Sequence, residues 1–217
     1  CFRFGRLFHM HVLEPDRFEK EVIVCPDERA DRRLKANKEW WAKVKENGAE
    51  VIKEREYEKV IAMADAFKAL PEIQSMKGAR HELSVFANGF RKNIDAKCRI
   101  DMEKDGVVVD IKTTRDSGAS EYEFMKTSRR FKYAWQEANY RDIAAKAGLG
   151  IKRWYWAVIE KEPPFEAGIY TFTSDDIARA RRELSEAYTT LQSCLTLDAW
   201  PSHTPTQPRE LRLYGGL

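Results

Sequence analysis

Between Gly78 and Thr114 the chain carries three short runs of strand-forming residues, His81 to Phe86, Ile94 to Met102 and Val107 to Thr113, separated by Asn88-Gly89 and Asp105-Gly106. Asn-Gly and Asp-Gly supply the positive φ that a two-residue hairpin requires. The runs are therefore expected to pair as an antiparallel meander. This feature excludes an all-helical fold and fixes which side chains can share a sheet face.

The segments around the meander read as helices and further strands. Cys1 to Leu13 has the pattern of a helix stopped by Glu14-Pro15, and residues 16–35 read as charged and irregular apart from Val22-Ile23-Val24. Residues 36–70 are helix-periodic, with Gly48 dividing them into two helices and Pro71 ending the second. After the meander, Glu121 to Lys146 reads as a helix, Arg153 to Glu160 and Gly168 to Phe172 as strands, and Ser174-Asp175-Asp176 as the cap of a helix running to Leu195. The expected fold class is α/β, a central mixed sheet with an antiparallel meander flanked by helices. At 217 residues one domain is expected over 1–217: a mainly helical entry region 1–70, a core 78–195, and an irregular tail 196–217 with Pro201, Pro205 and Pro208.

Composition narrows the function classes. Hydrophobic residues at 43% allow a core. The 38 Lys+Arg against 35 Asp+Glu leave a net charge of +3, so an anionic partner must be held by local patches. The longest apolar run, Trp154 to Ile159, is about six residues against the ~20 that span a bilayer, so no membrane segment is expected. Cys1, Cys25, Cys98 and Cys194 lack metal-ligand spacing and read as reduced thiols of a cytoplasmic protein. An opening Cys1 in place of Met suggests a trimmed chain, and nothing there resembles a signal peptide.

The chemistry concentrates at the ends of two strands. Alternation puts Asp110 and Lys112 on one face and Val109 and Ile111 in the core, while Lys97, Arg99 and Asp101 share a face of the preceding strand. A hairpin then allows Asp101 to lie beside Asp110. Adjacent carboxylates repel unless a cation sits between them. Hard oxygen donors with a nearby ammonium suit Mg²⁺ or Mn²⁺ acting on a phosphate ester. Lys112 could orient or deprotonate a water, or stabilise developing charge. The same residues are also compatible with a surface salt bridge worth about 0–1 kcal/mol. Gln136 and Tyr140, four apart, share a helix face that could meet a phosphate or belong to an ordinary amphipathic helix. Arg129, Arg130, Lys132 and Tyr133, with Arg91 and Lys92, are candidates for tracking a nucleic-acid backbone.

In this order, Asp101, Asp110-Ile111-Lys112 and Gln136-x-x-x-Tyr140 resemble the RecB-like branch of the PD-(D/E)XK nuclease superfamily. Phe4 to Pro15, Glu82 to Phe86, Cys98 to Asp101, Val109 to Thr114, Tyr133 to Tyr140 and Trp200-Pro201 extend the similarity toward its RecE (exodeoxyribonuclease VIII) group over nearly the whole chain. The resemblance implies a restriction-endonuclease-like core with His9, Asp101, Asp110 and the main-chain carbonyl of Ile111 as metal ligands. It also implies Lys112 as the catalytic lysine, Glu82 as an acidic catalytic residue at the rim, and Gln136 and Tyr140 on the substrate side. Taken without the family, His9 on an apolar helix reads as an ordinary core histidine. His11 and His81 are expected to point elsewhere.

The implied activity is Mg²⁺- or Mn²⁺-dependent exonucleolytic hydrolysis of linear double-stranded DNA, 5′ to 3′, leaving 3′ overhangs for recombination or repair. The implied partners are DNA ends, a single-strand annealing recombinase and further copies in a trimeric or tetrameric ring. The rivals are a structure-selective endonuclease or single-strand exonuclease of the same superfamily, and a catalytically silent DNA-binding subunit. The sequence begins almost at the His9 helix, so the segment that precedes it in the family is expected to be missing. The spaced cysteines argue against the iron–sulfur set of some relatives.

Overall fold

The structure is a computed structural model that describes residues 2–115 and 117–202. Its centre is the expected meander, β3 (Arg80–Arg91), β4 (Ile94–Lys104) and β5 (Val107–Thr114). Asp105 and Gly106 both have positive φ, 53° and 85°, and form the β4–β5 turn. A Cβ on Gly106 would lie 2.7 Å from the Gly150 carbonyl oxygen, so glycine is required twice over there. Asn88-Gly89 departs from expectation. The strand continues through it, and Gly89, with φ 58°, absorbs a register shift between Ala87 and Arg91. The reversal comes later, where Asn93 takes the left-handed conformation at φ 61°.

Two more strands, β6 (Arg153–Glu160) and β7 (Ala167–Tyr170), complete a sheet of order β3-β4-β5-β6-β7. All neighbours are antiparallel except β5 and β6, which run parallel from Val107↔Arg153 to Thr114↔Glu160. A parallel pair needs a crossover, supplied here by two helices, α6 (Glu121–Phe131) and α7 (Tyr133–Lys146). One continuous helix was expected there. Lys132, at φ 57°, caps α6 and opens α7.

Both sheet faces are covered. Val109, Ile111, Ala157 and Ile159 pack against Phe8 of α1 (Phe2–Leu13) and Met63 and Phe67 of α4 (Glu54–Lys68). Val108, Trp154, Trp156 and Val158 pack against Phe124 of α6 and Ile143 of α7. The apolar run of β6 is explained by burial on both sides.

The entry region holds two corrections. Pro15 occupies the first turn of a short helix, α2 (Pro15–Glu21), where irregular chain was expected. The strand β1 (Val22–Cys25) pairs in parallel with β2 (Glu50–Lys53), so Val51 and Ile52 leave the helical stretch between α3 (Lys35–Glu46) and α4. β-Branched residues beside a partner strand favour that outcome. Pro71 opens α5 (Pro71–Ser75) after ending α4. At the far end α8 (Ser174–Leu197) is capped by Thr173, one residue before the expected Ser174, through a 3.2 Å bond from the Asp176 amide. It packs Ile177 and Ala180 against Ala138 of α7 and runs two residues into the expected tail. The tail from residue 203 and Cys1 lie outside the described residues, among which no helix is long and apolar enough to cross a membrane.

Candidate active site

The site forms where the sheet's regularity fails. Glu82 in β3 has φ 49°, a conformation that costs a non-glycine residue about 1–3 kcal/mol and persists only where its surroundings hold it. His81↔Met102 and Leu83↔Ile100 are paired, but Glu82 and Asp101 between them are not. The β4–β5 ladder likewise runs only from Lys104↔Val107 to Met102↔Val109. Ile100 packs into the core beneath α7 and Met102 into the core beneath α1, so strict alternation breaks at Asp101. The Asp101 carboxylate fills the gap by accepting the Ile111 amide N–H at 2.7 Å.

Helix α1 closes over this defect. A Cβ on Gly5 would stand 2.8 Å from Thr113 Oγ1, so glycine allows the helix to lie close on β5. One turn further on, His9 Nδ1 comes 4.0 Å from Asp101 Oδ2. The ligand atoms of His9, Glu82 and Asp101 all lie within 4.8 Å of one another. Burial lowers the His9 pKa, which keeps a neutral imidazole with an available lone pair. Burial, with Glu82 nearby, pushes Asp101 up to about 6 despite the Ile111 bond. Arg99 Nε lies 2.6 Å from Glu82 Oε2, yet that buried oxygen receives no hydrogen bond.

Beside this cluster stands a second one. Asp110 is 2% exposed, and both its oxygens are engaged: Lys112 Nζ donates to Oδ1 and Gln136 Nε2 to Oδ2 at 2.5 Å. Lys112 also donates to Gln136 Oε1 at 3.2 Å, closing a triangle. Its ammonium sits 5.0 Å from the ring centroids of both Tyr133 and Trp156. Burial and the neighbouring Asp101 push Asp110 up to about 7. Burial would lower the Lys112 pKa, but Asp110 outweighs it and the net shift is upward. The Trp156 indole is fixed from below by Glu137, which accepts its N–H at 3.1 Å and a 2.9 Å bond from Arg141.

The remaining sequence candidates divide. Ile111 and Arg130 line the cleft above the cluster, a space of about 1340 Å³. Tyr140 is half-buried, edge-on to Trp154 at 6.0 Å, and does not line it. Arg129 and Lys132 line a separate groove with Trp135 and Phe172, and Lys132 Nζ lies 3.8 Å from Glu183. Arg91 is 4.0 Å from Asp142. His11 packs on Phe18, and His81 Nδ1 meets the Leu13 carbonyl at 2.8 Å. Arg99, expected on the same strand face as Asp101, also lines the cleft, as do Arg6, Arg17, Arg115 and Lys161, which were not singled out in the sequence. Glu137 was missed as well, since nothing in Gln136-Glu137-Ala138 marks a buried acid.

Helices on both faces of a mixed sheet, with Asp110-x-Lys112 on the strand where parallel and antiparallel pairing meet, define the PD-(D/E)XK class of fold. The chain belongs to the family described as PDDEXK-like domain of unknown function (DUF3799), whose model matches residues 1–206. No curated protein sequence matches it. Among solved structures it is similar to a protein from Eubacterium rectale provisionally described as an exonuclease, with TM-score 0.55 and 13% identity over 86% of this chain and 75% of that one. That likeness is one of fold.

Proposed function

We propose that the protein is a divalent-metal-dependent deoxyribonuclease of the RecE type. It hydrolyses phosphodiester bonds of linear double-stranded DNA from the ends, 5′ to 3′, and leaves 3′ overhangs for recombination. One observation carries this reading: His9, Glu82 and Asp101 converge within 4.8 Å on a cleft lined by Arg6, Arg17, Arg99, Lys112, Arg130 and Lys161. A cation-lined cleft suits a phosphate backbone and makes binding salt-dependent and independent of sequence.

The donor set fits Mg²⁺ or Mn²⁺: the two carboxylates of Glu82 and Asp101 and the neutral imidazole of His9. Bound there, such an ion would polarise a phosphoryl oxygen and acidify a water. Lys112, ion-paired with Asp110, serves to stabilise negative charge on the phosphate. Gln136 fixes the orientation of both Asp110 and Lys112. Asp110 lies next to the three-residue cluster, and its charge is felt by His9 while that of Asp101 is felt by Asp110.

The reading includes a closed homo-oligomeric ring, trimer or tetramer, because topological enclosure would retain DNA that a net charge of +3 holds weakly. A single-strand annealing recombinase is the partner that would receive the overhang. Digestion of linear against covalently closed circular duplex in Mg²⁺ or Mn²⁺ tests it. Only the linear form should be consumed. Cleavage of the closed circle would mark an endonuclease, and survival of both would mark a silent binding subunit.

A further inference from the structure

Phe131, the last residue of α6, is 59% exposed, while Phe124 two turns earlier is buried. The left-handed Lys132 ends the helix directly after it and turns the chain so that the rings of Phe131 and Tyr133 lie 20° from parallel at 6.0 Å. Tyr133 in turn stacks on Trp156 at 5.1 Å and 14°. The inner two rings touch the Lys112 ammonium, and the outer one meets solvent. The Arg130 guanidinium lies 5.4 Å from the Phe131 ring. Arg130, Phe131 and Tyr133 line the same cleft as His9, Glu82 and Asp101.

We propose that Phe131, with Arg130, is a platform on which an unpaired base beside the scissile phosphate stacks. The substrate class of the site is then a strand that presents an unstacked base, at a frayed end or in a single strand, in preference to the interior of a duplex. This rests on the nuclease reading above. Every base has a π-face, so an aromatic platform tolerates all sequences. An arginine beside the ring adds a cation that can reach both the π-system and the adjoining phosphate. A base inside a duplex reaches such a platform only after unstacking and unpairing, which favours ends. The column from Phe131 through Tyr133 to Trp156 gives the platform a rigid backing, so a base seated there is held in register with Lys112.

The test compares wild type, Phe131→Ala and Phe131→Trp in Mn²⁺ on two single-stranded oligonucleotides that differ by one abasic site at the terminal nucleotide. Phe131→Ala should lose roughly ten- to a hundredfold in kcat/KM on the intact strand, mainly through KM, and Phe131→Trp should restore it. On the abasic strand the gap between wild type and Phe131→Ala should close to within about twofold. Equal losses on both strands, or no loss on either, would overturn the platform while leaving metal-dependent cleavage intact. Failure of the wild type to cut either single strand while it digests linear duplex would overturn the platform and leave the nuclease reading standing, whereas failure on linear duplex as well would overturn both.

Discussion

The Asp101 carboxylate accepts the Ile111 amide N–H at 2.7 Å, tying β4 to β5 beyond the point where their ladder ends. One side chain is therefore both a structural pin and a candidate metal ligand. The two roles separate by substitution. Asn in place of Asp keeps an oxygen for the Ile111 amide but removes the anionic donor. Asp101→Asn should fold with stability within about 1 kcal/mol of wild type and lose roughly a thousandfold in DNA digestion. Asp101→Ala should lose activity equally and a further ~1–3 kcal/mol of stability, because a buried N–H is left without a partner. Urea unfolding with a digestion assay distinguishes them; an active Asp101→Asn protein would exclude Asp101 as a ligand.

Lys112 and Asp110 should act as a unit. Asp110→Ala and Lys112→Ala should each remove about 4 kcal/mol or more of transition-state stabilisation, roughly a thousandfold in rate. DNA binding, measured by mobility shift, should survive Lys112→Ala because other cations line the cleft. An Asp110→Ala enzyme within about tenfold of wild type would contradict this site.

The buried charges also predict a pH dependence. Asp101 and Asp110 titrate at about 6 and about 7 in the folded protein, above the ordinary carboxylate value. Between about pH 4 and pH 7 the folded state holds protons that the unfolded chain releases, so their contribution to stability falls as pH rises. His9, lowered by burial, acts in the opposite sense: its contribution falls as pH drops through the ordinary histidine value. A divalent cation held by His9, Glu82 and Asp101 competes with the protons on His9 and Asp101. The rise in Tm on adding Mn²⁺ should therefore be larger at about pH 8 than at about pH 5, and His9→Ala should shrink it. A rise independent of pH would contradict binding at these carboxylates.

The meander and the shared face of Asp110 and Lys112 were legible because both follow from local signals: period-two alternation, and the Asp105-Gly106 turn. The convergence of His9, Glu82 and Asp101 was not legible from pattern, since it depends on a left-handed Glu82 and a broken alternation at Asp101. Nothing in Arg80-His81-Glu82-Leu83 signals positive φ; tertiary packing imposes it. The β1–β2 pair was hidden for a related reason. The helical period of Trp40 and Val44 runs on across Gly48 into Val51-Ile52, and only the distant Val22–Cys25 strand overrides it. The break at Lys132 lies in Phe131-Lys132-Tyr133, where no glycine or proline marks it. The cleft's cations come from positions as far apart as Arg6 and Lys161, so only the fold gathers them.

The most direct test is nucleotide release from a linear duplex by the purified protein in Mg²⁺ or Mn²⁺, run beside Asp101→Asn and beside wild type in excess chelator. Release by wild type with metal, and none in either control, is the predicted result. No release under any condition, or release that persists in chelator or in Asp101→Asn, would contradict a metal-dependent nuclease centred on His9, Glu82 and Asp101.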